Sequence, residues 1–267
     1  MKESIKIPPE LVYPVRKIEA PGGYRTNSYN SHAIIVDTPS GGLKVNDCSD
    51  EYRLIRNSAI LNPLIEGLSK DHKIHVSGRS WNDAVFNMRV AVETGPGITI
   101  VDKLYPMIDI LNSYNGRIQC NVNMGVFRGF CANGMVVPTE MQLVKNFSHT
   151  PSNEEELAVK KILQMFEGFC TNFGEVSESY DDLKISRVFN LQRRVDEVIE
   201  ATNFPSKFAE EVMDRVNLEM AALNSKCNDW LVYNAFNYQL NHNDEMVWEP
   251  KKKNKADQEV LDFLLAN

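Results

Sequence analysis

A chain of 267 residues, 43% hydrophobic and 24% charged, is long enough to bury a real core in one large domain or in a domain with a helical extension. Its net charge is −7, and no apolar run approaches the ~18 residues of a membrane helix, which excludes that class. The start Met-Lys-Glu-Ser is no secretory signal, and Cys48, Cys120, Cys131, Cys170 and Cys227 are scattered with no Cys-x-x-Cys pair, so a reducing cytoplasm is expected, without disulfides, metal or cofactor.

The charge is uneven along the chain. Residues 1–150 hold 16 Lys and Arg against 14 Asp and Glu, whereas residues 151–267 hold 13 against 22. The acidity therefore lies in the C-terminal part, and the N-terminal part remains able to present a basic face to an anionic partner.

Residues 1–30, with Pro8-Pro9, Pro14 and Pro21-Gly22-Gly23, read as an extended arm. Residues 32–37 form a strand, and Pro39-Ser40-Gly41-Gly42 turns into a second at 43–45. Ser49 or Asp50 then caps a helix in which Leu54, Ile55, Ile60, Leu61, Leu64 and Leu68 recur at helical spacing, broken in two at Asn62-Pro63. A meander follows: strands at 73–76 and 86–93, a turn at 94–97, a strand at 98–101 and a hairpin over 105–126.

That hairpin carries the strongest local pattern. Asn115-Gly116 signals a type I′ turn, because both central residues of such a turn need positive φ. Beyond it Ile118, Cys120, Val122, Met124 and Val126 share one parity and Arg117, Gln119, Asn121 and Asn123 the other, the period-two mark of a half-buried strand. Asn87 and Arg89 repeat the polar face on the 86–93 strand. Six residues at ~3.3 Å each make a hydrogen-bonding strip about 20 Å long, suited to an extended ligand.

The period changes at Ser152-Asn153, a capping signal. Ala158, Ile162, Met165, Phe166, Phe169 and Phe173 mark one amphipathic helix and Val188, Leu191, Val195, Val198 and Ile199 a second. A third opens at Pro205, a fourth spans 230–240 behind Asn228 or Asp229, and a short helix covers 256–265 after a solvated Lys251-Lys252-Lys253 linker. The expected fold is α+β: an antiparallel β-meander, mainly residues 73–136, backed by helices. The expected division is a β domain with an N-terminal arm over 1–150 and a helical part over 151–267 that packs on the sheet.

Several constellations compete for function. Cys131 with His149 offers a thiol and a base, but no orienting acid accompanies them, and Cys131 is expected to be structural. His72 and His75 fall on opposite faces of a strand, which disfavours a metal site. No phosphate loop with Gly-Lys-Ser/Thr is present. The polar strip remains: Arg89, Lys103, Arg117 and Arg128 as phosphate contacts, Tyr114 and Phe127 as stacking surfaces, and Asn112, Gln119, Asn121 and Asn133 as amide contacts for nucleic acid.

Five stretches carry a resemblance. They are residues 45–57 (Val-Asn-Asp-Cys-Ser-Asp-Glu-Tyr-Arg-Leu-Ile-Arg-Asn), 110–116 (Ile-Leu-Asn-Ser-Tyr-Asn-Gly), Arg-x-x-Cys-x-Asn-Gly at 128–134, His149, and Tyr233-Asn234-Ala235 with His242. Together they resemble a phage- and plasmid-borne family named only as domain of unknown function nine hundred and thirty-two. Asn115 stands where that family has an acid, and the N-terminal region matches poorly. The resemblance implies a mobile genetic element in a bacterial host cytoplasm, and a curved meander with a polar face looks like the architecture of phage single-strand annealing proteins. The function expected is therefore a non-catalytic protein that binds and anneals single-stranded DNA in recombination or replication, as a homo-oligomeric ring or filament. The alternative is a counter-defence protein that binds a host protein or sequesters a nucleotide.

Overall fold

The computed structural model describes residues 5–20, 30–81, 83–93, 102–129, 133–150, 155–246 and 248–267. The fold is α+β with a helical C-terminal part. Among the described residues the strands are β1 (Val15–Glu19), β2 (His32–Thr38), β3 (Gly41–Cys48), β4 (Lys73–Trp81), β5 (Val85–Glu93), β6 (Leu104–Ser113), β7 (Cys120–Arg128), β8 (Asn133–Met135) and β9 (Val144–Phe147). The helices are α1 (Asn57–Leu68), α2 (Glu155–Thr171), α3 (Phe173–Glu178), α4 (Asp181–Ile185), α5 (Leu191–Ala201), α6 (Ala209–Leu223), α7 (Asp229–His242) and α8 (Pro250–Ala266). None of them is long and apolar enough to cross a membrane. One sheet has the order β1-β2-β3; the other runs β4-β5-β6-β7-β8, with β9 also paired to β7. The turn expected at 94–97, the strand at 98–101 and the caps Ser152 and Asn153 lie outside the described residues.

Two compact units share the chain. The first comprises Met1–Thr94, Met107–Met124 and Leu143–Gly168, and the second Gly95–Pro106, Gly125–Gln142 and Phe169–Asn267. Each thus draws on both sides of residue 150.

In the first unit Ile60, Leu61 and Leu64 of α1 and Met88, Val90, Val92, Ile108 and Ile110 of the sheet are fully buried. Each such side chain contributes about 1.5–3 kcal/mol of transfer free energy. Helix α1 begins at Asn57, well after the expected caps Ser49 and Asp50. Its leading N–H groups find partners far away in sequence: Arg56 N–H donates to Glu155 Oε1 at 2.9 Å and Asn57 N–H to Tyr114 Oη at 2.9 Å. A search for local caps does not see such partners. Pro63 does not divide the helix either, because its ring lies on the exposed side, where a helix can bend, while Leu64 on the other side is buried.

The β6 to β7 connection departs from the expected tight turn. Six residues, 114–119, separate the strands, and only Gly116 has positive φ, at 71°. Asn115 accepts the Arg117 N–H on Oδ1 at 3.1 Å instead, so Arg117 and Gln119 belong to this loop and not to a strand. At the start of β7 the expected alternation holds, with Cys120, Val122 and Met124 buried and Asn121 and Asn123 half-exposed, but the middle of the sheet is covered. All ten residues of β6 are buried, and Asn87 and Arg89 turn toward Asp109, which takes Asn87 Nδ2 at 2.7 Å and Arg89 Nε at 3.0 Å. The row of polar residues on β5 is an internal layer, neutralised by a carboxylate on the neighbouring strand.

The second unit is organised around α7, in which Trp230, Leu231, Val232, Tyr233, Ala235 and Phe236 are buried. Asn228 caps it by accepting the Leu231 N–H, and Asn190 caps α5 through Arg193 N–H, so α5 starts later than Val188. Pro205 leads into a short 3-10 turn, Ser206–Phe208, before α6. The expected linker at Lys251-Lys252-Lys253 is the first turn of α8. Asn237 of α7 donates to Gly134 O at 3.1 Å and to Asp257 Oδ2 of α8 at 2.8 Å, tying strand and helices together.

Candidate functional site

Chain fold separates the strip residues from one another. Arg128 is fully buried: Nε and Nη2 donate to Asp102 at 2.6 and 2.8 Å, and Nη1 to the equally buried Glu219 at 2.6 Å. Arg89 holds Asp109, and its side chain is 17% exposed. Asn112 is fully buried and donates from Nδ2 to Ile55 O and Asn57 Oδ1, both at 2.8 Å. Tyr114 caps α1 and packs on Phe86, with ring centroids 4.7 Å apart. Phe127 is buried, and Lys103 is half-buried, its carbonyl accepting the Gly129 N–H. Arg117 and Gln119 are exposed, and Asn121 is half-exposed in an amide row with Asn123 and Asn146. The Asn133 side chain and Cys131 lie outside the described residues. The structure thus presents Arg117, Gln119 and Asn121 on the surface, keeps Asn112, Tyr114, Phe127 and Arg128 inside, and leaves Arg89 half-buried on Asp109.

A different group comes together in the first unit. Tyr52 and His149 stack nearly parallel, centroids 5.0 Å apart at 8°, and both residues are half-exposed. Strand-like pairing holds them: Arg53 N–H donates to His149 O at 3.0 Å, and His149 Nδ1 lies 3.1 Å from Arg53 O. A carbonyl only accepts, so Nδ1 carries the proton in this contact. Lys17 Nζ donates to the Tyr52 carbonyl at 3.1 Å, fixing the segment between β3 and α1.

Several buried polar atoms of this unit lack a hydrogen-bond partner among the described residues. Tyr52 Oη, Asn57 Nδ2, Asn112 Oδ1 and His149 Nε2 are all buried, and none makes a hydrogen bond. Asn57 and Asn112 share a hydrogen bond, and Asn57 N–H meets Tyr114 Oη. Burial pushes the Tyr52 phenol up and holds the His149 imidazole below its ordinary value, while the Arg53 and Ile118 backbones act the other way on His149. Burial also pushes the Cys120 thiol up to about 12, so it stays protonated at neutral pH. The rim is cationic: Arg53 and Arg117 are exposed and have no acidic partner among the described residues, while Arg56 forks onto Glu155 at 3.0 and 2.7 Å. Among the described residues no three His, Cys, Asp or Glu gather to hold a metal ion.

The depressed His149 makes stability depend on pH. Its unfolded imidazole takes a proton near the ordinary value of 6.5, its folded one only at lower pH, so between those values the unfolded state binds more protons. The contribution is full above pH 6.5 and is lost as pH falls toward the folded value. Thermal unfolding between pH 8 and 5 should therefore show a falling Tm that flattens in His149→Asn, which keeps a donor for Arg53 O. Parallel Tm curves for the two proteins would refute this.

Sequence reasoning missed Tyr52, Arg53 and Asn57 as site residues, although the stretch that contains them had been singled out by resemblance. Fold and site together define an α+β protein with a half-exposed aromatic pair in its first unit. The chain belongs to the family of the domain of unknown function DUF932, whose model matches residues 45–260. No curated protein and no solved structure matches it. Of the stretches that carry the resemblance, 45–57, 110–116 and His149 converge on this site, whereas 128–134 and 233–235 fall in the second unit.

Proposed function

We propose that this protein binds single-stranded nucleic acid without catalysis, through the Tyr52 and His149 stack and its arginine rim. One observation carries the reading: a half-exposed aromatic pair is held by Arg53, and Arg117 precedes Ile118, whose backbone reaches His149; both arginines are exposed and have no acidic partner among the described residues. Aromatic faces take unpaired bases, and guanidinium groups take phosphates, which is the combination that single-strand binders use. The amide row Asn121, Asn123 and Asn146 supplies further neutral hydrogen-bonding groups on the same unit. The binding site thus moves from the sheet strip to the β3 to α1 segment. In biological terms the reading is a DNA-annealing protein of a mobile element, acting in recombination or replication as a homo-oligomer that joins short sites into a longer groove.

A gel shift with a labelled single-stranded oligonucleotide, at low and moderate salt, tests this. Arg53→Ala with Arg117→Ala should lower affinity at least tenfold and flatten the salt dependence, since each phosphate contact releases counterions. Thermal stability should barely change, because both side chains are exposed. Arg89 and Arg128 are unsuitable for this purpose, since their replacement would report on buried ion pairs. Unaltered affinity in the double variant would refute the reading, and competition by free mononucleotide as strong as by oligonucleotide would favour nucleotide sequestration.

A further inference from the structure

In the second unit one short extended segment joins α4 to α5 and carries two large apolar side chains into solvent. Ile185, the last residue of α4, is 74% exposed, and Phe189, two residues before α5, is 94% exposed. Exposure alternates between them: Ile185, Arg187 and Phe189 are exposed, while Ser186 and Val188 are half-buried, which is the period of a strand. The backbone agrees. Val188 N–H donates to Cys227 O and Asp229 N–H to Ser186 O, both at 3.1 Å, so that Arg187 stands opposite Asn228 in an antiparallel bridge. In this pattern the N–H and C=O of Arg187 point away from the 227–229 segment, and neither makes a hydrogen bond among the described residues. Residues 186–189 at ~3.3 Å each thus give about 13 Å of open strand edge. An apolar side chain exposed singly needs no account, but two that flank an unpaired edge do, since such edges are normally covered or guarded by charge.

We propose that residues 185–189 take up an extended acidic peptide of a partner protein as an added strand. The peptide backbone pairs with the open edge at Arg187, and its side chains on the shared face meet Ile185 and Phe189 with apolar groups and Arg187 with a carboxylate. Charge selects this occupant. Arg187 and Lys226, which lies two residues before Asn228 on the paired segment, are exposed and have no acidic partner among the described residues. The neighbouring carboxylates are engaged: Lys184 holds Asp181 at 2.7 Å, Arg194 holds Asp229 at 2.8 Å and Arg193 holds Glu197 at 2.9 Å. Asp182, on α4, is exposed and lies outside the extended segment. A second copy fits less well, because an antiparallel two-fold pair centred on Arg187 would set two guanidinium groups opposite each other. Nucleic acid has no row of N–H and C=O groups to pair with the edge. The proposal goes beyond the nucleic-acid reading above and does not depend on it.

The full chain would be panned against a random library of peptides about 12 residues long, with counter-selection on the double variant Arg187→Glu with Phe189→Ser. Both side chains are exposed, so this variant should unfold at the same temperature as the parent. Should it unfold earlier, Lys226→Glu, on the other segment, carries the comparison. Recovered peptides should be net acidic with apolar residues at alternate positions, and fluorescence anisotropy should show each single substitution weakening them about tenfold. Methylating the peptide's backbone nitrogens one at a time should weaken binding about tenfold at alternate positions only, as expected of a strand that pairs through one edge. The inference fails if no peptide is recovered, or if those recovered bind the variants as tightly as the parent. Peptides that are basic, or that tolerate methylation at every position, also overturn it. Displacement of the peptide by a 15-mer of oligo(dT), with oligonucleotide binding lost in the double variant, would assign the surface to nucleic acid. A dimer in analytical ultracentrifugation that the double variant abolishes would assign it to a second copy, and either result refutes the peptide.

Discussion

Replacing Arg128 with methionine should destabilise the protein by about 3–5 kcal/mol, the usual consequence of removing one member of a buried ion pair. The guanidinium is 0% exposed, and so is the Glu219 carboxylate it meets at 2.6 Å. Arg215 still reaches Glu219 Oε1 at 2.9 Å, and Trp230 Nε1 still donates to Asp102 at 2.8 Å, but three of the strongest contacts disappear at once. The Arg128 guanidinium also lies 5.3 Å from the centroid of the Trp230 ring, a cation–π contact that methionine does not replace. The double variant Arg128→Met with Glu219→Leu should recover part of the loss, because it removes the fully buried carboxylate together with the guanidinium, although Arg215 loses its Glu219 contact and Asp102 keeps only Trp230 of these partners. Urea unfolding followed by far-ultraviolet circular dichroism gives both values. A single substitution that costs less than about 1 kcal/mol would mean that water relaxes into the site and that the network is not what holds this end of β7.

A single methyl group should have nearly as large an effect at Gly78. Strand β4 lies so close to β5 there that a Cβ on Gly78 would overlap the Asn87 carbonyl oxygen and stand 3.1 Å from Met88 Cα, both of them backbone, and 2.9 Å from Leu11 Cδ1. The register pairs Gly78 with Met88, so relief requires that the two strands separate along a stretch that is fully paired. Gly78→Ala should therefore cost about 1–3 kcal/mol or more, as overpacked cores do. Gly67 offers the opposite case. It sits in α1 with nothing within 4 Å of the added carbon, and Gly67→Ala should stabilise by roughly 0.5–1 kcal/mol through helix propensity. The pair of Tm values, one lowered and one raised, checks both statements. A neutral Gly78→Ala would show that β4 shifts away from β5 freely.

Periodicity was enough to place β5, β6, α2, α6 and α7, since alternation and the 3.6-residue stripe report how a backbone repeats against a core. It also placed the change from sheet to helix near residue 152. The α+β class follows from that local information. Asn190 as a cap of α5 and Asn228 as a cap of α7 are local as well, since each reaches a backbone N–H three residues on. Charge patterning was less informative, because Arg89 and Arg128 look the same in sequence as Arg117.

Tertiary structure decided which of these groups meet water. Polar residues on one parity read as a half-buried strand, which holds at the start of β7, where Asn121 and Asn123 are half-exposed between buried neighbours, and fails at Asn87 of β5, which is buried against Asp109. Arg128 finds Asp102 26 residues away and Glu219 91 residues away, Arg56 finds Glu155 across 99, and Tyr114 meets Asn57 across 57. Partners at such separations leave no trace in a local window, because neither residue constrains its own neighbours to show a pattern. The same holds for the site. Tyr52 and Asn57, Asn112, and His149 come from three separate segments, and only the fold leaves their polar atoms buried without partners among the described residues. By itself, then, the sequence determined the elements and their order, which depend on backbone repeats. Folding decided which arginines are structural and which remain on the surface, because that depends on charges brought together by contacts distant in the chain.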